Sequence, residues 1–537
     1  MDRFDPAAEP HLIFDIENED RREFSVVFVH FMGYFTMDIY ICLWYTIPRI
    51  WIQGVFQMNA TKLAGLKPAS VFAYFEEICA IPHGSRNTKA ISDYLVDFAK
   101  ARGLRYIQDE VNNVIIFQDG TCGYEDHAPV ILQGHIDMVC EKDASCPLDM
   151  AVDGLDVTHD GRHVFAKGTT LGGDNGIAVA YALALLDDTT IPHPPLEVVM
   201  TVDEEIGMLG AAAIDLSELK GRMLLNLDSE DEGVFTVSCA GGATATITMD
   251  AERRAVYGPC IRLCVDGLQG GHSGAEIHKN RANANKIMGE FMSRIQALMP
   301  LCLTSFAGGS KDNAIPRSCQ ASVVAMGINL ERINGIAETL QAEVREKYDE
   351  PEATIQAFDL DALGGNALPT EVTSKVIGLL CSAPNGVQAM SEEMPGLVQT
   401  SLNMGIAKLG IHMKMTFSVR SSLNSEKQEL LGKLRELAKF YDASYSQMGE
   451  YPAWEYKADS KLRSIMVSTY QEMFGKEPEV MAIHAGLECG LLGEKLPGLD
   501  CVSIGPQMQD IHTSREKLDI ASTERTWNFL LEVLKAL

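Results

Sequence analysis

The feature that most constrains the fold is a series of short, almost wholly apolar runs separated by helix-like segments. The runs read NVIIF (113–117), PVILQGHIDMV (129–139), LEVVMTV (196–202), MLLNL (223–227) and DCVSIGP (500–506). Amphipathic or alanine-rich patterns between them predict helices, as in ISDYLVDFAKARG (91–103) and NGIAVAYALALL (175–186). Continuous apolar strands are typical of strands buried on both faces. Alternation with helices therefore predicts an α/β domain with a mostly parallel central sheet.

The pattern changes between about residues 242 and 452. Apolar and polar residues alternate there with a period of two, which is typical of half-exposed antiparallel strands, in ATATITM (243–249), IRLCVDG (261–267) and KMTFSVRSS (414–422). Amphipathic helices are predicted at 284–299 and 377–383. We therefore predict an inserted α+β lid or dimerisation domain, and its length leaves open whether it holds one module or two. The boundaries expected are 58–241 and 453–537 for the catalytic domain and 242–452 for the insertion.

Residues 1–57 form an N-terminal extension that the catalytic interpretation does not need. Residues 24–47 are apolar and long enough to span a bilayer, but Asp38 near the centre would cost about 2.5–3.5 kcal/mol on insertion. Three interpretations stay open. Translation starts at Met58, or the segment is a membrane anchor, or it is an additional packed or disordered element.

Composition excludes some functions. The formal net charge of −29 leaves no surplus of Lys and Arg to neutralise nucleic-acid phosphates. The 13 cysteines contain no C-x-x-C pair, so neither a zinc knuckle nor a thioredoxin-type motif is expected. No G-x-S-x-G elbow follows a buried strand, which argues against a serine hydrolase, and no phosphate-binding G-x-x-x-x-G-K-[ST] motif is present.

Acidic and imidazole side chains follow the ends of four buried strands. These groups are His135 and Asp137, then Asp203, Glu204 and Glu205, then Asp228 and Glu230, and finally His512. The carboxyl ends of parallel strands meet at one sheet edge, where a cluster of carboxylates needs cations to offset its repulsion. Asp174 stands in the glycine-rich loop GTTLGGDNG and could bridge two ions. Nitrogen and oxygen donors without thiolate suit zinc, with cobalt or manganese as substitutes.

Eight motifs in order make the resemblance to a known family specific. The chain resembles the M20 metallopeptidases, and among them the bacterial aminoacyl-histidine (Xaa-His) dipeptidases, from about Val71 to the C-terminus. The motifs are GHIDMV (134–139), KGTTLGGDNGI (167–177), DEEIGM (203–208), NLDSEDEG (226–233), GGHSGAEIH (270–278), NAIPR (313–317), HAGLECG (484–490) and SIGPQMQDIH (503–512).

The resemblance implies two zinc ions per subunit and a role for each site residue. The implied metal ligands are His135 and Asp228 for one zinc, Glu205 and His512 for the other, and Asp174 between them. Glu204 would be the general base, Asp137 would steady His135, and His272 would stabilise the tetrahedral oxyanion. The substrate-contacting positions would be Asn313, Arg420, His484 and Glu488, with Arg420 facing the α-carboxylate of a dipeptide or, alternatively, in a surface ion pair.

The expected activity is zinc-dependent hydrolysis of Xaa-His dipeptides such as β-Ala-His. Two alternatives stay open: another M20 hydrolase, such as a tripeptidase or an N-acyl amino-acid deacylase, and a non-catalytic peptide-binding protein. The expected partner is a small dipeptide, with no nucleic acid, and membrane contact is expected only if residues 24–47 are an anchor. A homodimer is left open, and the expected location is the cytoplasm.

Overall fold

A computed structural model of the chain describes residues 62–325, 327 and 330–537. The predicted span at 24–47 and the extension 1–57 lie outside the described residues. No helix within the described ranges is both long enough and apolar enough to cross a bilayer.

The first part of the chain alternates strands with helices. Its strands are β1 (Arg105–Gln108), β2 (Val114–Gln118), β3 (Val130–His135), β4 (Val157–His159), β5 (His163–Ala166), β6 (Leu196–Thr201), β7 (Met223–Asn226) and β8 (Val234–Cys239). Its helices are α1 (Ala69–Cys79), α2 (Lys89–Arg102), α3 (Gly173–Asp187) and α4 (Leu209–Ala213). Helix α2 ends where predicted, because Gly103 adopts the left-handed conformation that closes a helix.

The middle of the chain is rich in long antiparallel strands. They are β9 (Gly241–Asp250), β10 (Arg254–Asp266), β11 (Gly271–His272), β12 (Leu301–Gly308), β13 (Ala314–Ile315), β14 (Cys319–Ala325), β15 (Thr354–Ala367), β16 (Gly386–Met390), β17 (Val398–Leu409), β18 (His412–Ser421) and β19 (Ser444–Tyr451). The helices are α5 (Ala284–Gln296), α6 (Leu330–Tyr348), α7 (Thr370–Ser382) and α8 (Asn424–Phe440), with a short 3₁₀ turn at Ile277–Lys279.

The last part of the chain returns to the first sheet. Its elements are α9 (Lys461–Phe474), β20 (Glu479–Ile483), α10 (Glu488–Lys495), β21 (Asp500–Ser503), β22 (Met508–Gln509), β23 (Lys517–Asp519) and α11 (Ile520–Ala536). Strand β21 pairs in parallel with β7, more than 270 residues earlier in the sequence. Residues from both ends of the described chain therefore meet in one sheet.

The central sheet has eight strands in the order β1-β2-β6-β3-β7-β21-β8-β20. Four neighbouring pairs are parallel, β6 with β3, β3 with β7, β7 with β21 and β8 with β20. The pairs β1–β2, β2–β6 and β21–β8 are antiparallel. Every residue of β3 and β6 is buried, which agrees with the continuous apolar runs of the sequence. The predicted α/β class with a mostly parallel central sheet is confirmed.

The middle region forms one nine-stranded sheet, ordered β15-β10-β14-β12-β17-β18-β9-β19, with β16 paired to β17. Helices α5 to α8 pack on this sheet, and residues such as Phe291, Leu340, Leu380 and Leu434 share a buried core with the strands. Of the two arrangements that the sequence left open, the structure thus has a single continuous sheet. A two-stranded ribbon, β11–β13, and a small sheet ordered β22-β23-β5-β4 complete the described elements.

Candidate metal centre and substrate site

His135 ends strand β3 at the edge of the central sheet, and its ring is buried. Its Nδ1 lies 2.9 Å from the backbone oxygen of Asp137, and an oxygen of that kind can only accept a hydrogen bond. Nδ1 therefore donates, and in the neutral ring Nε2 carries the lone pair. Nε2 lies 3.2 Å from Asp174 Oδ1 and 3.4 Å from Asp228 Oδ1. The nitrogen that could bind a metal thus faces two carboxylates.

Asp174 lies between two imidazoles that are far apart in the sequence. While Oδ1 faces His135, Oδ2 lies 3.0 Å from Nε2 of His512. Burial alone would raise the pKa of Asp174, but hydrogen bonds from the two histidines outweigh it and hold the pKa well below the usual value. The Asp174 carboxylate is therefore ionised, with one oxygen directed at each histidine.

Glu205 completes the second half of the cluster. Its Oε1 lies 2.9 Å from Nε2 of His512. Ligand atoms of His135, Asp174 and Glu205 lie within 4.8 Å of one another. The structure thus brings together all five residues that the sequence predicts as metal ligands, His135, Asp174, Glu205, Asp228 and His512.

The electrostatics of the cluster fit divalent cations. Burial, followed by the nearby charges of Asp174 and Glu205, raises the pKa of Asp228 to about 6 despite the opposing influence of His135. Hydrogen bonds to Asp174 and Glu205 raise the pKa of His512 to about 10. The carboxylates thus hold positive charge on the imidazoles, and a proton and a metal ion compete for the same nitrogen atoms. Because all five side chains offer nitrogen or oxygen, the donor set suits zinc.

Asp137 connects two strand ends. Its carboxylate accepts hydrogen bonds from Ser85 Oγ at 2.8 Å and from the backbone N–H of Glu204 at 3.0 Å. Its Oδ1 also lies 3.4 Å from Nδ1 of His135. One carboxylate therefore contacts both the His135 ring and the backbone that carries Glu204 and Glu205.

Glu204 lies beside the cluster and has a basic carboxylate. Burial raises its pKa well above the ordinary value; the charges of Asp228 and Glu488 add to the shift, and His135 opposes it. A carboxylate with a raised pKa accepts a proton more readily, which suits a general base.

Two buried residues that the sequence did not single out hold this centre in place. Asn175 accepts a hydrogen bond from the His135 backbone N–H at 3.2 Å and donates from Nδ2 to the Leu227 carbonyl oxygen at 2.7 Å. It therefore joins β3 to the residue before Asp228. Its place next to Asp174 in the glycine-rich loop was the only signal that could have indicated it.

Glu516 is the second such residue and supports the loop that ends in Asp174. Its carboxylate accepts four backbone N–H groups, from Leu171 at 2.7 Å, Gly172 at 3.1 Å, Gly173 at 2.8 Å and Asp174 at 3.3 Å. Glu516 follows His512 by four residues, and the loop lies more than 340 residues earlier. The segment that supplies the His512 imidazole thus also fixes the backbone of Asp174.

The predicted oxyanion residue, His272, lies on the ribbon β11–β13. Its Nδ1 accepts hydrogen bonds from the backbone N–H groups of Gly274 at 3.2 Å and Ala275 at 3.0 Å. Burial and the positive charge of Arg420 lower the pKa of His272, so the ring is neutral and Nε2 carries the proton. Asn313 immediately precedes β13, and its carbonyl oxygen accepts the Ser273 N–H at 2.9 Å, next to His272.

The remaining predicted substrate residues differ in exposure. His484 Nε2 lies 2.7 Å from Ser401 Oγ, and burial together with the charge of Arg420 lowers the pKa of His484 to about 4. Arg420, on β18, is half-buried and hydrogen bonds to Tyr451.

Glu488, in contrast, is 0% exposed and accepts hydrogen bonds from Gln133 Nε2 and Thr201 Oγ1, each at 2.6 Å. The structure thus places Glu488 against β3 and β6, and its contact with substrate stays a prediction.

Comparison with known proteins identifies the family to which the chain belongs. The sequence pattern described as "Peptidase family M20/M25/M40" matches residues 131–536. The chain is 37% identical over 480 residues to the cytosol non-specific dipeptidase of Escherichia coli (strain K12), a match that covers 88% of this chain and 99% of that protein.

Solved structures of other proteins have the same fold. The aminoacylhistidine dipeptidase from Vibrio alginolyticus matches with a TM-score of 0.83 and 36% identity, over 89% of this chain and 98% of that one. The aminopeptidase PepT from Bacillus cereus shares the fold, with a TM-score of 0.51 and 14% identity, over 88% of this chain and 99% of that one. The predicted resemblance and the prediction of an enzyme are confirmed. On its sequence and its fold, the chain belongs to the peptidase family M20/M25/M40.

Proposed function

We propose that the protein is a zinc-dependent dipeptidase that holds two cations between five ligands and hydrolyses Xaa-His dipeptides. The observation that carries the proposal is the Asp174 carboxylate, whose two oxygens face His135 and His512 from opposite ends. His135 and Asp228 would hold one ion, Glu205 and His512 the other, and Asp174 both. The names of the two relatives, both dipeptidases, support the same class of substrate.

The proposed reaction is hydrolysis of an amide bond, in which the chain's own groups would each have a role. Bound divalent ions would supply Lewis acidity, polarising the scissile carbonyl and lowering the pKa of the attacking water. Glu204 would take the proton from that water and pass it to the leaving amine. The N–H at His272 Nε2 would donate a hydrogen bond to the carbonyl oxygen of the substrate as it becomes negative. Asp137 would keep the His135 ring in place.

Substrate length would be set by the distance between the metal centre and the positive charge of Arg420. A guanidinium group binds a carboxylate through paired hydrogen bonds, so Arg420 would hold the C-terminal carboxylate of the dipeptide. Asn313 and His484, which lie near His272 and Arg420, and Glu488 would complete the substrate site.

Chelation and a substrate panel test the proposal. The purified protein is assayed with β-Ala-His, other Xaa-His dipeptides, a tripeptide and N-acetyl amino acids, before and after treatment with a chelator. We expect hydrolysis of dipeptides, highest for Xaa-His, that is lost on chelation and restored by added zinc. Hydrolysis of only the tripeptide or the N-acetyl amino acids would assign a different reaction to the same centre, and chelator-resistant hydrolysis would contradict the metal.

Three further features belong to the same proposal. The catalytic domain would comprise 58–241 and 453–537, and 242–452 would be the inserted lid. The partner would be a small peptide, with a homodimer as the assembly to be tested by light scattering. A cytoplasmic location is supported by the cytosol named for the Escherichia coli relative.

A further inference from the structure

Three neighbouring strands of the nine-stranded sheet place Arg420, Gly242 and Tyr451 in one row. Arg420 on β18 pairs with Gly242 on β9, and Gly242 pairs on its other side with Tyr451 on β19. Directly opposed residues on neighbouring strands project to the same face of a sheet. Arg420 and Tyr451 therefore flank a position without a side chain.

Because Gly242 has no side chain, the ring of Tyr451 can extend across β9. A Cβ atom at Gly242 would lie 2.5 Å from the Tyr451 hydroxyl oxygen and 2.7 Å from ring atom Cζ, both closer than atoms in contact allow. The hydroxyl oxygen lies 3.3 Å from Arg420 Nη1, which donates to it. Any residue larger than glycine at 242 would thus displace the phenol from the guanidinium group.

Two further contacts fix the position of Tyr451. The buried Lys427 donates from Nζ to the Tyr451 carbonyl oxygen at 2.6 Å, which anchors the end of β19. On the other side of the ring, a Cβ atom at Gly486 would lie 2.7 Å from ring atom Cε2. Gly486 belongs to the HAGLECG motif, so the ring lies between the nine-stranded sheet and the segment that carries His484.

The phenol has a proton left to donate. Its oxygen accepts from Arg420, and among the described residues no acceptor takes its own O–H. Burial raises the pKa of Tyr451; the charge of Arg420 opposes the shift, and those of Cys239 and Glu204 add to it, so the O–H stays protonated. Arg420 Nε is also buried without a hydrogen-bond partner among the described residues. Unused donors on two adjacent side chains make a site for an anion.

We infer that Tyr451 is a second recognition group for the substrate's C-terminal carboxylate, donating its O–H beside the Arg420 guanidinium across Gly242. This inference rests on the proposed dipeptidase function. Arg420 supplies the positive charge, and Tyr451 both orients the guanidinium group and adds a hydrogen bond. Selectivity for a free carboxylate over an uncharged C-terminus then depends on both residues.

Tyr451→Phe tests this inference because it removes only the hydroxyl group. The kcat and KM are measured for one Xaa-His dipeptide and for its C-terminal amide. We expect KM for the free dipeptide to rise about tenfold, the loss of one hydrogen bond to a charged group. We expect kcat, and KM for the amide, to change less than about twofold, within the scatter of neutral substitutions. Tyr445→Phe on the same strand, whose hydroxyl donates to Gln447, is the matched control and should leave all values unchanged.

Gly242→Ala provides an independent second variant. The substitution removes no polar group but displaces the phenol. The variant's preference for the free dipeptide over its C-terminal amide should therefore fall as it does in Tyr451→Phe. An unchanged circular dichroism spectrum would show that the variant is folded. An equal loss on both substrates, or a lower kcat with KM unchanged, would overturn the role of Tyr451. If the wild-type protein hydrolyses dipeptides and Tyr451→Phe keeps the same preference, only this inference fails. If the wild-type protein hydrolyses none, the proposed function fails with it.

Discussion

The candidate metal centre around His135 (the metal end) and the proposed substrate site around Arg420 (the substrate end) hold charged side chains in different ways. At the metal end, His135 and Asp137 are about 1% exposed, and each is fixed by hydrogen bonds from several parts of the chain. At the substrate end, Arg420 is half-buried, has one hydrogen bond to a side chain, at 3.3 Å, and keeps Nε unpaired. The polar groups of His135 and Asp137 are thus paired within the chain, whereas Arg420 keeps an unpaired donor.

The ligand that we propose for each region accounts for this difference. Ligands that hold a cation must converge before the ion arrives, because several carboxylates in one buried place repel one another. Asn175 and Glu516 maintain that convergence by accepting hydrogen bonds from the backbone N–H groups of His135 and Asp174. A site for a substrate that comes and goes needs unpaired donors instead, since the substrate supplies the acceptors. Substitutions in the two regions should therefore give separable results, zinc content in one and KM in the other.

The largest effect is expected for Asp174→Ala. Without the carboxylate that faces both histidines, we expect both zinc ions to be lost together and kcat to fall by more than about 10⁴-fold, beyond what a single general base contributes. Zinc per chain is measured by mass spectrometry alongside kcat. The exposed Asp126→Ala serves as control and should retain two zinc ions. A variant at 174 that keeps full zinc would contradict the bridge.

Glu204→Ala separates chemistry from metal binding within the metal region. We expect kcat to fall about 10²- to 10⁴-fold, the usual contribution of a general base, with both zinc ions retained. The exposed Glu110→Ala should match the wild-type protein. Loss of zinc from the 204 variant would mean that Glu204, and not only Glu205, is a ligand.

Arg420→Ala examines the other region. We expect KM for a dipeptide to rise about 10²-fold, through the loss of charge-assisted hydrogen bonds to the carboxylate, with zinc content unchanged. Steady-state kinetics and zinc content are measured on the same preparation. If zinc fell in parallel with affinity, the two regions would not be separable and the comparison would fail.

Glu516→Gln is expected to give the smallest of these effects. The amide can accept fewer of the four N–H groups, so the loop before Asp174 should loosen and zinc affinity should fall about 10- to 100-fold, as for other groups that support ligands. Competition with a chromogenic chelator measures the affinity. Glu472→Gln, on the exposed face of α9, is the control. Unchanged zinc affinity would assign Glu516 to the stability of the loop alone.

The sequence predicted the central strands and the polar residues that follow them because both rest on local patterns. The choice of the five metal ligands was implied by the family resemblance. A buried strand is recognised as an apolar run in the sequence. The polar residue that follows it lies at the edge of the sheet, whatever the rest of the fold. Helix α3 was predicted over 175–186. It begins at Gly173, but Asp174 and Asn175 have non-helical backbone angles, so the regular part of the helix starts close to the predicted position. Helix α7 was predicted from residue 377, but it begins at Thr370.

Residues whose role depends on distant partners could not be predicted. Glu516 accepts hydrogen bonds from backbone groups more than 340 residues away, and the proposed role of Tyr451 depends on Gly242, on a neighbouring strand, having no side chain. Neither contact can be inferred from the spacing or periodicity of residues in the sequence. The burial of Glu488 was missed for a similar reason, since its partners Gln133 and Thr201 come from two distant strands. The domain boundaries and the individual site roles stay predictions.

The proposed two-zinc centre can be tested with crystals of the zinc-loaded protein and diffraction recorded on both sides of the zinc absorption edge. We expect two anomalous peaks per chain, one in contact with His135 and Asp228, the other in contact with Glu205 and His512, with Asp174 in contact with both. A single peak, or peaks away from Asp174, would contradict it.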